Sequence, residues 1–156
     1  MKHSLMANNI NYDDRQKLIK FIKNTDYFTN GKKVKDFEKK WSKWLGVKYS
    51  VFVNSGSSAN ILSLSYLKTK FEGGEIIVSP LNWVSDITSI IYNGFKPRFV
   101  DINLSNLAMN TDEIIKNINK KTRAILLTHI LGFNGLDQKL LDICKKKKIL
   151  LIEDVC

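Results

Sequence analysis

Ser50-Val-Phe-Val-Asn-Ser-Gly-Ser-Ser-Ala-Asn-Ile-Leu-Ser-Leu64 sets the expectation for the whole chain. Its β-branched and aromatic opening predicts a strand over Ser50–Val53, and the small residues after it predict a tight turn. A helix follows, carrying Ile61, Leu62, Leu64, Tyr66 and Leu67. Asn54, Ser55, Gly56, Ser57 and Ser58 sit where strand gives way to helix. The first N–H groups of a helix lack partners and carry partial positive charge, so an anion is favoured there. Gly56 lets a phosphate approach the backbone, and Ser57 adds a hydroxyl. Two readings stay open on this stretch alone: a phosphate cradle, or serines that cap the helix. Neither a P-loop nor a dinucleotide fingerprint is present, because the lysine of the one and two glycines of the other are missing.

Working outward, strand and helix alternate. Upstream, a short helix is expected over Asp13–Lys23. A turn-rich joint at Tyr27–Gly31 follows, then a helix over Lys33–Leu45 ended by Gly46. Val34, Phe37, Trp41, Trp44 and Leu45 form an apolar stripe on that helix, read as core packing. Downstream, strands are expected at Glu75–Ser79, Pro97–Ile102, Arg123–Thr128 and Ile149–Ile152. Helices are expected over Ile87–Tyr92, Thr111–Ile118 (capped by Thr111) and Leu136–Lys147, with a loop over His129–Asn134. Strands that are apolar nearly throughout belong to parallel sheets covered by helices. The fold class expected is therefore α/β, a mostly parallel sheet with helices on both faces.

Composition limits the partners. The net charge is +10, but it comes mainly from lysines, as at Lys32/Lys33/Lys35, Lys39/Lys40, Lys120/Lys121 and Lys145–Lys148. Arginine occurs only at Arg15, Arg98 and Arg123, and no aromatic residues interleave with the basic runs. Solvated helix faces account for this pattern better than nucleic-acid binding. No apolar run approaches the ~20 residues of a membrane-spanning helix. The first ten residues lack a signal-peptide core, so the cytoplasm is the expected location. Cys144 and Cys156 are too few for a disulfide scaffold and, with His3 and His129, show no metal-ligand spacing.

In a parallel α/β sheet, ligands bind beyond the carboxyl ends of the strands. The Gly56–Ser57 turn, the loop bearing Trp83, the loop starting at His129, and Asp154 all fall at that edge. Trp83 can lie over an aromatic ring, although a tryptophan packed in the core is the alternative. Asp154 stands just past the four apolar residues Ile149–Ile152, where an unpaired charge is costly and a protonated ring nitrogen would answer it; capping of the next turn is its alternative. Phosphate, ring and protonated nitrogen together describe pyridoxal 5′-phosphate. His129 and Asp101 read as structural.

The ordered set Thr29-Asn-Gly31, Asn54-Ser-Gly-Ser-Ser-Ala59, Pro80-Leu-Asn-Trp-Val-Ser85, Asn93-Gly94, Thr128-His129 and Ile152-Glu-Asp154 resembles the DegT/DnrJ/EryC1/StrS family. These are nucleotide-sugar aminotransferases of the fold type I pyridoxal-phosphate class. The resemblance implies Gly56 and Ser57 on the cofactor phosphate, Trp83 stacked on its ring and Asp154 on its ring nitrogen. It further implies Thr29 and Gly31 near the sugar. The activity implied is amino transfer from an amino acid such as glutamate to a keto-sugar nucleotide, by a homodimer, in cell-surface polysaccharide or deoxyaminosugar synthesis.

Departures from the family pattern matter too. The family's Schiff-base lysine lies well downstream of the aspartate, and no lysine here matches it. Residues 1–30 are therefore expected to form an N-terminal segment and 31–156 part of the large domain of a longer enzyme, inactive alone. Val155-Cys156 replaces the small residues that lead to a glutamine in many aminotransferases. Relatives that dehydrate deoxysugars at carbon 3 share such variants and use histidine for the lysine, so a sugar 3-dehydratase is the alternative within the family. A non-catalytic phosphate- or nucleotide-binding module is the alternative from another class.

Overall fold

The computed structural model describes residues 9–156, so the expectations placed on the first eight residues, His3 included, lie outside it. The described residues form two compact units, divided between Phe52 and Val53.

In the first unit, α1 (Tyr12–Lys23) opens with a capping box. Asn11 accepts from the Asp14 N–H at 2.9 Å, and Asp14 accepts from the Asn11 N–H at 3.1 Å. Helix α2 (Lys32–Leu45) starts at Gly31 and stops at Gly46, which takes φ 74° to end it. The apolar stripe of α2 departs from the expectation of core packing. Phe37 stacks on Trp41, Trp41 tilts against Trp44, and Phe52 meets Phe37 edge-on, yet Trp44 stays 73% exposed. Ser42 is the only buried residue of the helix. The rings cover one another, and among the described residues of this unit no second apolar layer covers them.

The strand expected at Ser50–Val53 does not form. Val51 and Phe52 are exposed, and the Phe52 N–H donates to the Glu38 carboxylate at 2.9 Å rather than to a neighbouring strand. β-propensity expresses itself only where a partner backbone lies alongside.

The second unit runs α3 (Gly56–Lys68), β1 (Glu75–Val78), α4 (Val84–Tyr92), β2 (Lys96–Phe99), α5 (Thr111–Asn117), β3 (Thr122–Thr128), α6 (Gln138–Lys147) and β4 (Leu150–Asp154). The sheet order is β2-β1-β3-β4, and every neighbouring pair is parallel. Gly74 leads into β1 at φ 140°, where a Cβ would stand 2.6 Å from the Lys121 carbonyl oxygen. Only glycine fits that approach.

Alternate residues of each strand fill different cores. Ile76 and Val78 of β1 join Ala124 and Leu126 of β3 under Leu64 and Leu67 of α3 and Ile90 of α4. Ile77, Ile125 and Leu127 turn the other way, against Ile114 of α5 and Leu140 and Cys144 of α6. Helices thus cover both faces of a parallel sheet, as the apolar strands predict.

Some boundaries move. Helix α4 begins at Val84, before the expected Ile87, and β2 ends at Phe99 short of Ile102. Asn110, not Thr111, caps α5, accepting from the N–H groups of Asp112 and Glu113; Thr111 instead donates to Asp137 at 2.5 Å. The expected loop after β3 contains a short 3-10 turn, Ile130–Gly132. The lysine run behaves as expected, with Lys145–Lys147 in the last turn of α6, where cations suit the helix dipole.

Candidate functional site

Parallel strands bring the ends of β1, β3 and β4 to one edge, and the helices α3 and α4 begin at that edge. Two hydrogen bonds demonstrate the arrangement. Asn60, in the second turn of α3, donates to Asp154 at the end of β4 at 2.9 Å. Thr128, the last residue of β3, donates to Asp86 in the first turn of α4 at 2.6 Å.

Strand alternation then sorts the chemistry. Ala124, Leu126 and Thr128 share one face of β3, and Ile152 and Asp154 share the same face of β4, towards α3 and α4. His129 and Glu153 fall on the opposite parity. Their side chains meet each other, His129 Nε2 lying 3.1 Å from Glu153. The Gly135 N–H donates to His129 Nδ1 at 3.2 Å, so in the neutral ring the proton sits on Nε2, facing Glu153. His129 is a satisfied connector between loop and strand, in agreement with its structural reading.

Asp154 is held on both carboxylate oxygens. Oδ2 accepts from Asn60 and Oδ1 from the Cys156 N–H at 3.1 Å. The second hydrogen of the same Asn60 amide goes to Asp86 Oδ1 at 2.8 Å. One neutral amide therefore bridges two carboxylates. Asp86 is fully buried, and its carboxyl pKa is pushed up to about 6. Burial is the main cause and the Asp154 charge adds to it, against the lowering effect of the Thr128 hydroxyl.

At the start of α3, Ser55 caps the helix, accepting from the Ser58 N–H at 3.1 Å, and Ser58 donates to Asn54 at 2.7 Å. The two readings of this turn thus divide by residue: Ser55 and Ser58 do the capping. The N–H groups of Gly56 and Ser57 have no partner among the described residues, and a Cβ built on Gly56 meets open space. Trp83 is the N-cap residue of α4 and is 72% exposed, so it is no core aromatic. Donors for an anion, an exposed indole and an anchored carboxylate fit a phosphate, a flat ring and a ring N–H.

Thr29 and Gly31 belong to the first unit, in the bend before α2 and at its N-cap. The residues that sequence reasoning missed are Asn60 and Asp86. Both announce themselves in hindsight by spacing. Asn60 falls on the buried stripe of α3 with Leu64 and Leu67, and Asp86 shares the buried side of α4 with Ile90. A polar residue in an apolar stripe needs a buried partner.

The sequence profile of the DegT/DnrJ/EryC1/StrS aminotransferase family matches residues 9–156. This chain belongs to that family. Among its relatives, the GDP-4-keto-6-deoxy-D-mannose 3-dehydratase of Yersinia pseudotuberculosis is 36% identical over 143 residues, 88% of this chain and 36% of that protein. The dTDP-4-amino-4,6-dideoxy-D-glucose transaminase of Shigella dysenteriae is 33% identical over 131 residues, 84% of this chain and 35% of that one. A crystal structure of GDP-4-keto-6-deoxymannose-3-dehydratase with a trapped PLP–glutamate geminal diamine superposes with a TM-score of 0.89 at 29% identity. That match covers 99% of this chain and 41% of the other. The chain thus spans well under half the length of these DegT/DnrJ/EryC1/StrS relatives, and its sheet is part of the fold type I architecture. Among the described residues, no helix is long and apolar enough to cross a membrane.

Proposed function

We propose that this chain forms the cofactor-binding face of a pyridoxal-phosphate enzyme that acts on a nucleotide sugar. The observation that carries the reading is Asp154, fixed on both oxygens at the rim onto which the start of α3 opens. The cofactor is pyridoxal 5′-phosphate, which when bound supplies an electron sink for the reacting substrate. The N–H groups of Gly56 and Ser57 would hold its phosphate, with the Ser57 hydroxyl beside them. Trp83 would cover the ring and screen it from water. Asp154 would accept a hydrogen bond from the ring N–H and keep that proton on the nitrogen by its charge. Thr29 and Gly31 are assigned to the sugar by family resemblance alone.

Within the family, 3-dehydration of a keto-deoxysugar nucleotide is better supported than amino transfer, the first reading from sequence. The 36% identity to a 3-dehydratase and the departure at Val155-Cys156 both favour it. The test is to incubate a full-length enzyme carrying this sequence with pyridoxal 5′-phosphate, glutamate and GDP-4-keto-6-deoxymannose and to analyse the sugar nucleotide by mass spectrometry. A product that has lost the carbon-3 oxygen is expected. A product carrying an amino group in place of the keto oxygen would return the assignment to amino transfer, and phosphate binding without any cofactor absorbance band would leave only a binding module. The active species is proposed to be a homodimer in the cytoplasm, and a fully active monomer in sedimentation velocity would refute the dimer.

A further inference from the structure

Asp86 lies outside every motif that carries the family resemblance in its role, yet it is the most deeply buried charged side chain near the rim. Its two oxygens have one donor each, Asn60 on Oδ1 and Thr128 on Oδ2. Asn60 holds Asp154 with its other hydrogen. We infer that Asp86 is a positioning residue for the ring nitrogen of the cofactor: through Asn60 it orients Asp154, and it places a second carboxylate behind the one that meets the ring. The inference rests on the pyridoxal-phosphate reading of the site.

The physical argument concerns charge. Asp154 alone offers one negative charge to the ring N–H. An ionised Asp86 across the shared amide adds its own field, in a region where burial weakens screening. Removal of the ring proton would then leave two carboxylates facing each other without a cation, so the pair holds that proton more firmly than either acid alone. The groups packed around Asp86 support no rival account. Helix α3 contributes the neutral Asn60, β3 the Thr128 hydroxyl and β4 the Asp154 carboxylate. His129 and Glu153 pair on the opposite face of the sheet. The pKa of Asp86, raised to about 6, leaves it largely ionised at neutral pH, so the second charge is present when the enzyme works.

Asp86→Asn separates this role from a merely structural one. Its amide oxygen can still accept from Asn60 and its NH2 can donate to the Thr128 hydroxyl, so the bridge survives while the charge is lost. The experiment loads the full-length protein carrying this sequence with pyridoxal 5′-phosphate labelled with nitrogen-15 in the ring and follows the ring-nitrogen shift against pH. In Asp86→Asn the deprotonation midpoint is expected to fall by about one pH unit, a tenfold weaker hold on the proton. An unchanged midpoint with the cofactor bound would overturn the inference and leave the cofactor assignment intact; failure of the unsubstituted protein to bind the cofactor would overturn both. Thr128→Val provides an independent arm through carbon-13 NMR of the Asp86 carboxyl without cofactor. Loss of the hydroxyl donor is expected to move the Asp86 midpoint upward and, with cofactor bound, to weaken the hold on the ring proton near neutral pH. A ring-nitrogen titration that ignores a displaced Asp86 midpoint would overturn the inference.

Discussion

In the full-length enzyme, Asp154→Asn is expected to keep the cofactor and to lose turnover by roughly 10²-fold or more, the scale on which a preorganised electrostatic group acts. Retention follows from the proposed anchoring of the phosphate at Gly56 and Ser57, which the substitution does not touch. The loss has two parts. Asparagine supplies no negative charge to keep a proton on the ring nitrogen. Its amide also cannot satisfy the present hydrogen bonds, because the Asn60 amide and the Cys156 N–H both donate to residue 154. Whichever way the new amide turns, one of these donors meets an NH2 group. The cofactor absorbance band and the single-turnover rate, measured on the same sample, check this. Undiminished turnover with the band present would remove Asp154 from its assigned role.

Asn60→Leu is expected to destabilise the fold by about 3 kcal/mol at pH 8 and by distinctly less at pH 5. Asn60 is buried, and its loss strips one donor from each of two carboxylates that then face each other unbridged. The sign of the pH effect follows from Asp86. Its pKa in the folded protein, about 6, lies above the ordinary value of 3.8, so folding takes up a proton between these values. Stability falls as pH rises through that window, and the full penalty is present above it. Removing the amide raises the Asp86 pKa further, which widens the window. At pH 5 a protonated Asp86 can itself donate across the gap. Urea unfolding at the two pH values reads the difference, and an equal loss at both would refute the bridging role.

The sheet was legible because β1 and β3 are short apolar runs bounded by turn residues, and such runs mean burial on both faces. Ser50–Val53 carries the same local signal without forming a strand, since among the described residues no partner strand pairs with it. The α2 stripe shows the same limit: periodicity predicts an apolar face but cannot say what will cover it. At the rim, Gly56, Ser57, Trp83 and Asp154 could be picked out because each interrupts its local pattern at the end of an element. Asn60 and Asp86 were not, because their meaning lies in bonds to residues 94, 26 and 42 positions away. No local window contains both ends of such a bond.

The alternation of the strands also bears on how this chain can change over evolutionary time. Exposed positions of β4, such as Leu150, can accept substitution, but insertion or deletion of a single residue in β3 or β4 disturbs every position beyond it. A one-residue slip exchanges odd for even, so both cores would trade contents at once. The same slip would carry Thr128 and Asp154 to the far side of the sheet and bring His129 and Glu153 to the cofactor rim. Length variation is thereby better tolerated in connections such as 103–107, between the bridged residues Ile102 and Met109. The rim depends less on a list of residue types than on an arithmetic of positions.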